Sequence, residues 1–174
     1  MSILPFFFMP LTRSTPPIKT RHEPALPGLQ FINPEGLYDP APNGYTHVVT
    51  APLGGAAGYR LVQVAGQGGE RPDGSLPADF ETQLAQALAN LNTALGAAGA
   101  ALDDVTKLTV LIVDHSHERL QTLSRHVQQY WPRRPAPACT LIPVARLALD
   151  GMLFEVEATA VVAGNRSRDN PTRR

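Results

Sequence analysis

A single cysteine, Cys139, stands near the start of PACTLIPVARLALDGMLFEVEA (residues 137–158), and two glutamates, Glu155 and Glu157, stand near its end. A strand glutamate can orient or deprotonate a water molecule held within hydrogen-bond reach. A cysteine works as a nucleophile when a helix N-terminus or a neighbouring cation lowers its pKa, and the sequence around Cys139 supplies neither. Two other readings of Cys139 stand beside that one: a small buried apolar residue, or one wall of a ligand pocket. The histidines offer less. His115 and His117 are two apart and His126 lies further on, with no H-x-x-x-H or carboxylate spacing to close a metal site. The glycines of GQGG (66–69) follow a β-rich run but open a turn rather than a helix, which is neither a dinucleotide nor a P-loop signature. No metal and no cofactor is expected. With one cysteine the chain makes no internal disulfide and no CxxC site.

The elements that must position these side chains alternate clearly. YTHVV (45–49) and YRLVQVA (59–65) read as two strands of a hairpin around the loop TAPLGGAAG. GGERPDGSLPAD is a turn-rich link. In DFETQLAQALANLNTALGAAG, Phe80, Leu84, Leu88, Leu91 and Leu95 recur at steps of four, four, three and four, one face of a helix. Asp79 suits its N-cap, Glu81 its positive end and Gly99 its stop. DVTKLTVLIV (104–113) is a strand. DHSHERLQTLSRHVQQYWP is a second helix, with Leu120, Leu123, Val127 and Tyr130 on one face and Pro132 at its end. Two strands follow, near 138–144 and 152–162. The order β-β-α-β-α-β-β predicts an α+β domain with both helices on one face of a mixed sheet. In the last strand Phe154, Val156, Ala158 and Ala160 point one way and Leu153, Glu155, Glu157 and Thr159 the other. The first set should meet the helices. The second should meet water or another subunit.

Length and charge set the outer limits. The 174 residues suit one domain with tails: a proline-rich arm over 1–28, a domain over 29–163 and a basic tail over 164–174. Ten of the 17 prolines fall within residues 1–52. The formal net charge is +0, yet residues 29–163 hold 8 basic and 13 acidic side chains, so the basic charge sits in the tails. A nucleic-acid binder shows its basic footprint on the folded domain, so nucleic acid is not the expected partner. No apolar run reaches the roughly 18 residues of a membrane helix. MSILPFFFMPL is apolar but short, with no positive charge before it, which is not a secretory pattern. A cytoplasmic compartment is the expectation.

Taken in order, FINPEGL, NGY, VAGQGG…DGSLPADFETQ…ALANLNTALGAAGAALDDVTKLTVLIVD, RPAPACTLIPVARL and FEVEATAV resemble the RidA family of enamine and imine deaminases, also called YjgF-like proteins. The resemblance covers residues 30–162. It implies a chorismate-mutase-like fold and a homotrimer whose sheets form a central barrel, with small-molecule clefts between subunits. In active members an arginine grips the carboxylate of a bound imino acid, while a tyrosine, a glycine backbone and a strand glutamate surround it. Water attacks the C=N bond and ammonia leaves. On this chain the tyrosine falls at Tyr45, the glycine at Gly66, the glutamate at Glu155 and a helix asparagine at Ser124. The arginine falls at Cys139. Arg146, in VARL, reads as structural. A guanidinium offers a planar two-donor fork to a carboxylate, and each charged hydrogen bond lost costs about 1.5–3 kcal/mol. Two lost bonds weaken binding on the order of a hundredfold or more. The expected function is therefore hydrolytic deamination of a small imine or enamine other than the usual small imino acids. The alternative is a non-catalytic trimer that binds a small metabolite. Some family members have been linked to RNA cleavage, which the acidic body disfavours here.

Overall fold

The computed structural model describes residues 28–54, 58–133 and 135–163. Its strands are β1 (Gln30–Ile32), β2 (Val48–Gly54), β3 (Tyr59–Gly68), β4 (Val105–Val113), β5 (Ala138–Val144) and β6 (Phe154–Val162). Helix α1 (Phe80–Ala97) lies between β3 and β4, and α2 (His117–Tyr130) between β4 and β5. The expected arm and tail lie, Gly28 apart, outside the described residues.

Helix α1 starts at its predicted cap, Asp79, whereas α2 starts at His117, three residues into the stretch read as helix, with Ser116 as its cap. The Asp79 carboxylate accepts a hydrogen bond from the Thr82 N–H at 2.8 Å, and the Ser116 hydroxyl oxygen accepts one from the Arg119 N–H at 3.2 Å. Each satisfies one of the amides that a helix N-terminus leaves unpaired. Phe80, Leu84, Leu88, Leu91 and Leu95 are all buried, and Gly99 follows the helix at φ +69°, where a β-carbon would be strained.

The six strands form one mixed sheet in the order β1-β2-β3-β6-β4-β5. β4 and β5 are parallel, and β6 runs antiparallel between β3 and β4. The crossovers β3-α1-β4 and β4-α2-β5 advance in the same direction across the sheet. Right-handed crossovers of that kind put both helices on the same face. α1 packs on β3 and β6, and α2 against α1. The core lies between, with Phe80 and Phe154 edge to face at 5.9 Å between ring centres. β6 alternates as its sequence does. Phe154, Val156, Ala158, Ala160 and Val162 are buried, while Glu155, Glu157 and Thr159 lie on the opposite face, which no helix covers.

Three local expectations change. β1 is an additional short strand, paired with residues 48–50 of β2. β2 spans Val48–Gly54 rather than 45–49, continuing through Pro52. Proline lacks the N–H of a ladder bond, and it is tolerated because Pro52 lies past the end of β1, on an open edge. On α2 the buried pair is Thr122 and Leu123, and Leu120 is exposed. The Arg119 guanidinium lies over the Phe80 ring at 4.9 Å and helps cover that part of the core.

Candidate functional site

The pairing of β3 with β6 slips between Val64 and Gln67: Val64 faces Ala158, but Gln67 faces Val156. One extra residue of β3 is therefore bulged at Ala65–Gly66. Bulges bend a strand and re-aim side chains, and this one opens a cleft of about 690 Å³ at the end of the uncovered sheet face. Tyr45, Gly66 and Glu155 line it together. A β-carbon on Gly66 would stand 2.1 Å from Glu155 Oε1 and 2.6 Å from its Cδ, so the carboxylate lies directly over the glycine backbone. That closeness explains the glycine on steric grounds.

Several buried polar groups hold the site. His47 is fully buried; its ring nitrogens meet the Tyr38 carbonyl at 2.9 Å and the Gln67 side-chain amide at 3.2 Å. The amide of Gln67 also donates to the carbonyls of Ala65 and Gly66 and so fixes the bulge. Burial lowers the pKa of His47, which fits a neutral ring that donates to the carbonyl and accepts from the amide. On α1, Asn90 donates to the carbonyls of Gly68 and Glu70 at 3.1 and 2.8 Å. Gln83, two helical turns earlier, ties down both rims of the cleft. Its amide donates to the carbonyls of Pro77 and Gly151, and its oxygen accepts from the Leu153 N–H, all within 2.8 Å. The glycines of GQGG have packing roles. Gly66 lies under Glu155, Gly68 under Glu70 and Met152, and Gly69 against the backbone of α1 at Gln83.

The electrostatics of the cleft are acidic. Burial raises the pKa of Glu155, and the nearby Glu70 and Glu157 add to the rise. Burial also raises that of Glu70, partly offset by its own backbone N–H and by His47. The Tyr45 phenol is pushed up to about 12 by burial and by the charges of Glu70 and Glu155. It is therefore a neutral hydrogen-bonding group at physiological pH.

Glu70 is the residue that sequence reasoning missed. It lies in the turn-rich link and is only 6% exposed. The only local signal was a carboxylate directly after a glycine run that lets the chain pack tightly. Ser124 and Cys139 are not among the residues that line the cleft. Ser124 is exposed on α2, where its hydroxyl donates to the Leu120 carbonyl one turn back. Cys139 is exposed on the edge strand β5. Its register partner Leu108, itself paired with Ala158, puts it on the face opposite Glu155. Partial burial raises the pKa of its thiol, and Lys107 offsets that only in part. A thiol so placed is a poor nucleophile at neutral pH.

The histidines do not gather. His126 meets Glu81 of α1 at 3.2 Å, while His115 and His117 are exposed. Among the described residues, no three His, Cys, Asp or Glu side chains converge as a metal-binding group. No helix among them is long and apolar enough to cross a membrane.

Comparison with known proteins agrees with this architecture. Residues 40–162 match the family described as Endoribonuclease L-PSP. The RutC family protein YjgH of Escherichia coli strain K12 is 33% identical over 102 residues, covering 58% of this chain and 74% of that protein. The 2-iminobutanoate/2-iminopropanoate deaminase of the same strain is 33% identical over 90 residues, 51% of this chain and 68% of the relative. Among solved structures, E. coli TdcF with bound serine superposes with a TM-score of 0.65 at 27% identity, covering 77% of this chain and 99% of that one. The fold, the order of elements and the sequence match together identify the chain as a member of the Endoribonuclease L-PSP family, the YjgF/RidA group.

Proposed function

We propose that the chain is a RidA-like deaminase that hydrolyses the C=N bond of a small imine or enamine metabolite in a cleft completed by a second copy of the chain. The observation that carries the reading is the Glu155 carboxylate, seated on Gly66 and beside Tyr45 in the cleft. Its raised pKa moves it towards the working range of a general base near neutrality. Water oxygen adds to the imine carbon while Glu155 takes a water proton. That proton passes to nitrogen and gives a carbinolamine. The carbinolamine hydroxyl proton then moves to nitrogen as the C–N bond breaks, which releases ammonia and leaves a carbonyl compound. Tyr45 donates a hydrogen bond to the substrate, and the backbone at Gly66 allows it to approach closely.

The usual small imino acids are not the expected substrates. None of the described residues lining the cleft is a lysine or arginine, and by the family resemblance Cys139 falls at the position of the carboxylate-binding arginine. Because Cys139 lies outside the cleft of its own protomer, it would meet a ligand only if β5 of a neighbouring copy crossed the opening. The uncovered face suits such an assembly. Phe31 and Ile142 are 62% and 42% exposed, on the side of the sheet that carries Glu155. A homotrimer closed by identical contacts is the proposed form, with Ser124 and Cys139 at the seam as substrate-binding residues. The proposed location is cytoplasmic. The lack of a lining cation also favours a second reading, a trimer that binds a metabolite without turning it over.

Ammonia release from imines generated in situ tests the proposal. Turnover should be measurable on imines without a carboxylate, and Glu155→Ala should abolish it. Cys139→Arg should raise activity on small imino acids by about a hundredfold. Absence of turnover by the wild type across a broad imine panel leaves the binding reading, and a stable monomer in sedimentation sinks the seam.

A further inference from the structure

The GERPDG loop brings a second carboxylate, Glu70, into the cleft. Its Oε2 is fully buried and has no hydrogen-bond partner. A buried carboxylate oxygen left so is costly, and it is kept where something absent from the free chain completes it. In its ionised form the group only accepts, so the partner it lacks is a donor. Oε2 lies over Gly68, where a β-carbon would stand 2.2 Å away, and Glu70 lines the same cleft as Glu155, Glu157 and Tyr45. Arg71 and Arg146 are engaged elsewhere. Arg71 donates to the Ser75 hydroxyl, and Arg146 pairs with Asp150 at 3.1 Å on the exposed surface. The Asn90 bonds to the carbonyls of Gly68 and Glu70 hold the backbone that carries this carboxylate in place.

We infer that the cleft selects ligands that present a protonated nitrogen and carry no carboxylate, with Glu70 Oε2 as the acceptor of the nitrogen's N–H. Three carboxylates, with no lysine or arginine among the described lining residues, repel an anionic ligand and attract a cationic one. A charged N–H bound to Oε2 would satisfy that orphaned oxygen. The inference rests on the proposed deaminase for its reaction, though not for binding. A protonated imine is the more electrophilic form of the C=N bond. Glu70 would hold that proton on nitrogen while Glu155 activates water on the carbon side, and ammonia would leave as the cation that the cleft prefers. The substrate class is then imines derived from amines rather than from amino acids, supplied by a reaction that oxidises a primary amine.

The test uses the full chain and two probes of equal length and opposite charge, n-propylammonium and propionate, titrated at pH 7 by calorimetry or NMR. Wild type should bind propylammonium at least tenfold more tightly than propionate. Glu70→Gln, which keeps the shape and removes the charge, should lose about tenfold or more in affinity for the ammonium. Equal or tighter binding of propionate by the wild type overturns the inference and needs no variant. So does a folded Glu70→Gln protein with unchanged ammonium affinity. Turnover is a separate readout. Ammonium preference without ammonia release from any imine removes the deaminase and leaves the selectivity. Release from imino acids without ammonium preference does the reverse.

Discussion

Gly66→Ala and Gly69→Ala separate the chemistry of the cleft from the stability of the fold, because each added methyl group meets a different kind of neighbour. At Gly66 the new β-carbon would stand 2.1 Å from Glu155 Oε1. Ordinary contact begins at 3.4 Å, so the carboxylate oxygen must retreat by about 1.3 Å. It can do so, since it ends a flexible side chain in a partly open cleft, and the backbone at Gly66 is not in a glycine-only conformation. The cost in stability is about 1 kcal/mol, partly offset by the 0.4–1 kcal/mol that alanine contributes by restricting the unfolded chain. The effect on catalysis is larger, because misplacing a reacting group by about 1 Å costs on the order of a hundredfold. At Gly69 the new atom would stand 2.6 Å from the Gln83 Cα, which is helix backbone and cannot move alone. Overpacking of that kind costs about 1–3 kcal/mol or more. Thermal denaturation together with kcat/KM for ammonia release gives both numbers for each variant. A folded Gly66→Ala enzyme with unchanged kcat/KM would refute the idea that Glu155 acts from its seat on Gly66.

Other outcomes follow from the same geometry. Glu155→Gln should lower kcat by about 10²–10⁴-fold with no loss of melting temperature, since it removes a general base from a desolvated position; comparable rates would remove Glu155 from the reaction. Glu70 and Glu155 both have raised pKa values in the folded chain. The native state therefore holds their protons to higher pH than the unfolded chain does, so stability falls as pH rises from the ordinary carboxylate range through the raised values. Glu70→Gln should flatten the part of a melting-temperature profile that lies above the ordinary carboxylate range, and a steeper profile would contradict the cause given. Asn90→Ala removes both bonds to the Gly68 and Glu70 carbonyls from a buried position and should cost about 2–4 kcal/mol in urea denaturation.

What could be read from the sequence was set by how local its cause is. The five apolar residues of α1 repeat at helical spacing and are all buried, and the alternation of β6 places Glu155 on the uncovered face directly. Those patterns arise within one element. β1 is three residues long and lies among prolines, so it has no period to detect. The sequence places β2 at 45–49 because Pro52 and Gly54 carry the chemistry of a turn, whereas the open edge beyond β1 tolerates the proline. Leu120 fits the stripe of α2 by spacing, but Arg119 on Phe80 and the buried Thr122 turn the helix slightly away from it. Tyr45, Gly66 and Glu155 were found through family resemblance, and the bulge that brings them together is a property of pairing between β3 and β6. Glu70 was invisible for a related reason. Its burial comes from Gly68, from Met152 and from Asn90 on α1, the last two distant in sequence, so nothing in GERPDG announces it.

The position of Gln83 has a mechanical consequence. One side chain on α1 grips the backbone at Pro77, at Gly151 and at Leu153, and these belong to the two segments that border the opening. Neither lip can be displaced without pulling on the same amide. A bulky guest that pushes aside Met152 would tug the opposite lip through the helix, so the mouth of the cleft widens or narrows as a single piece.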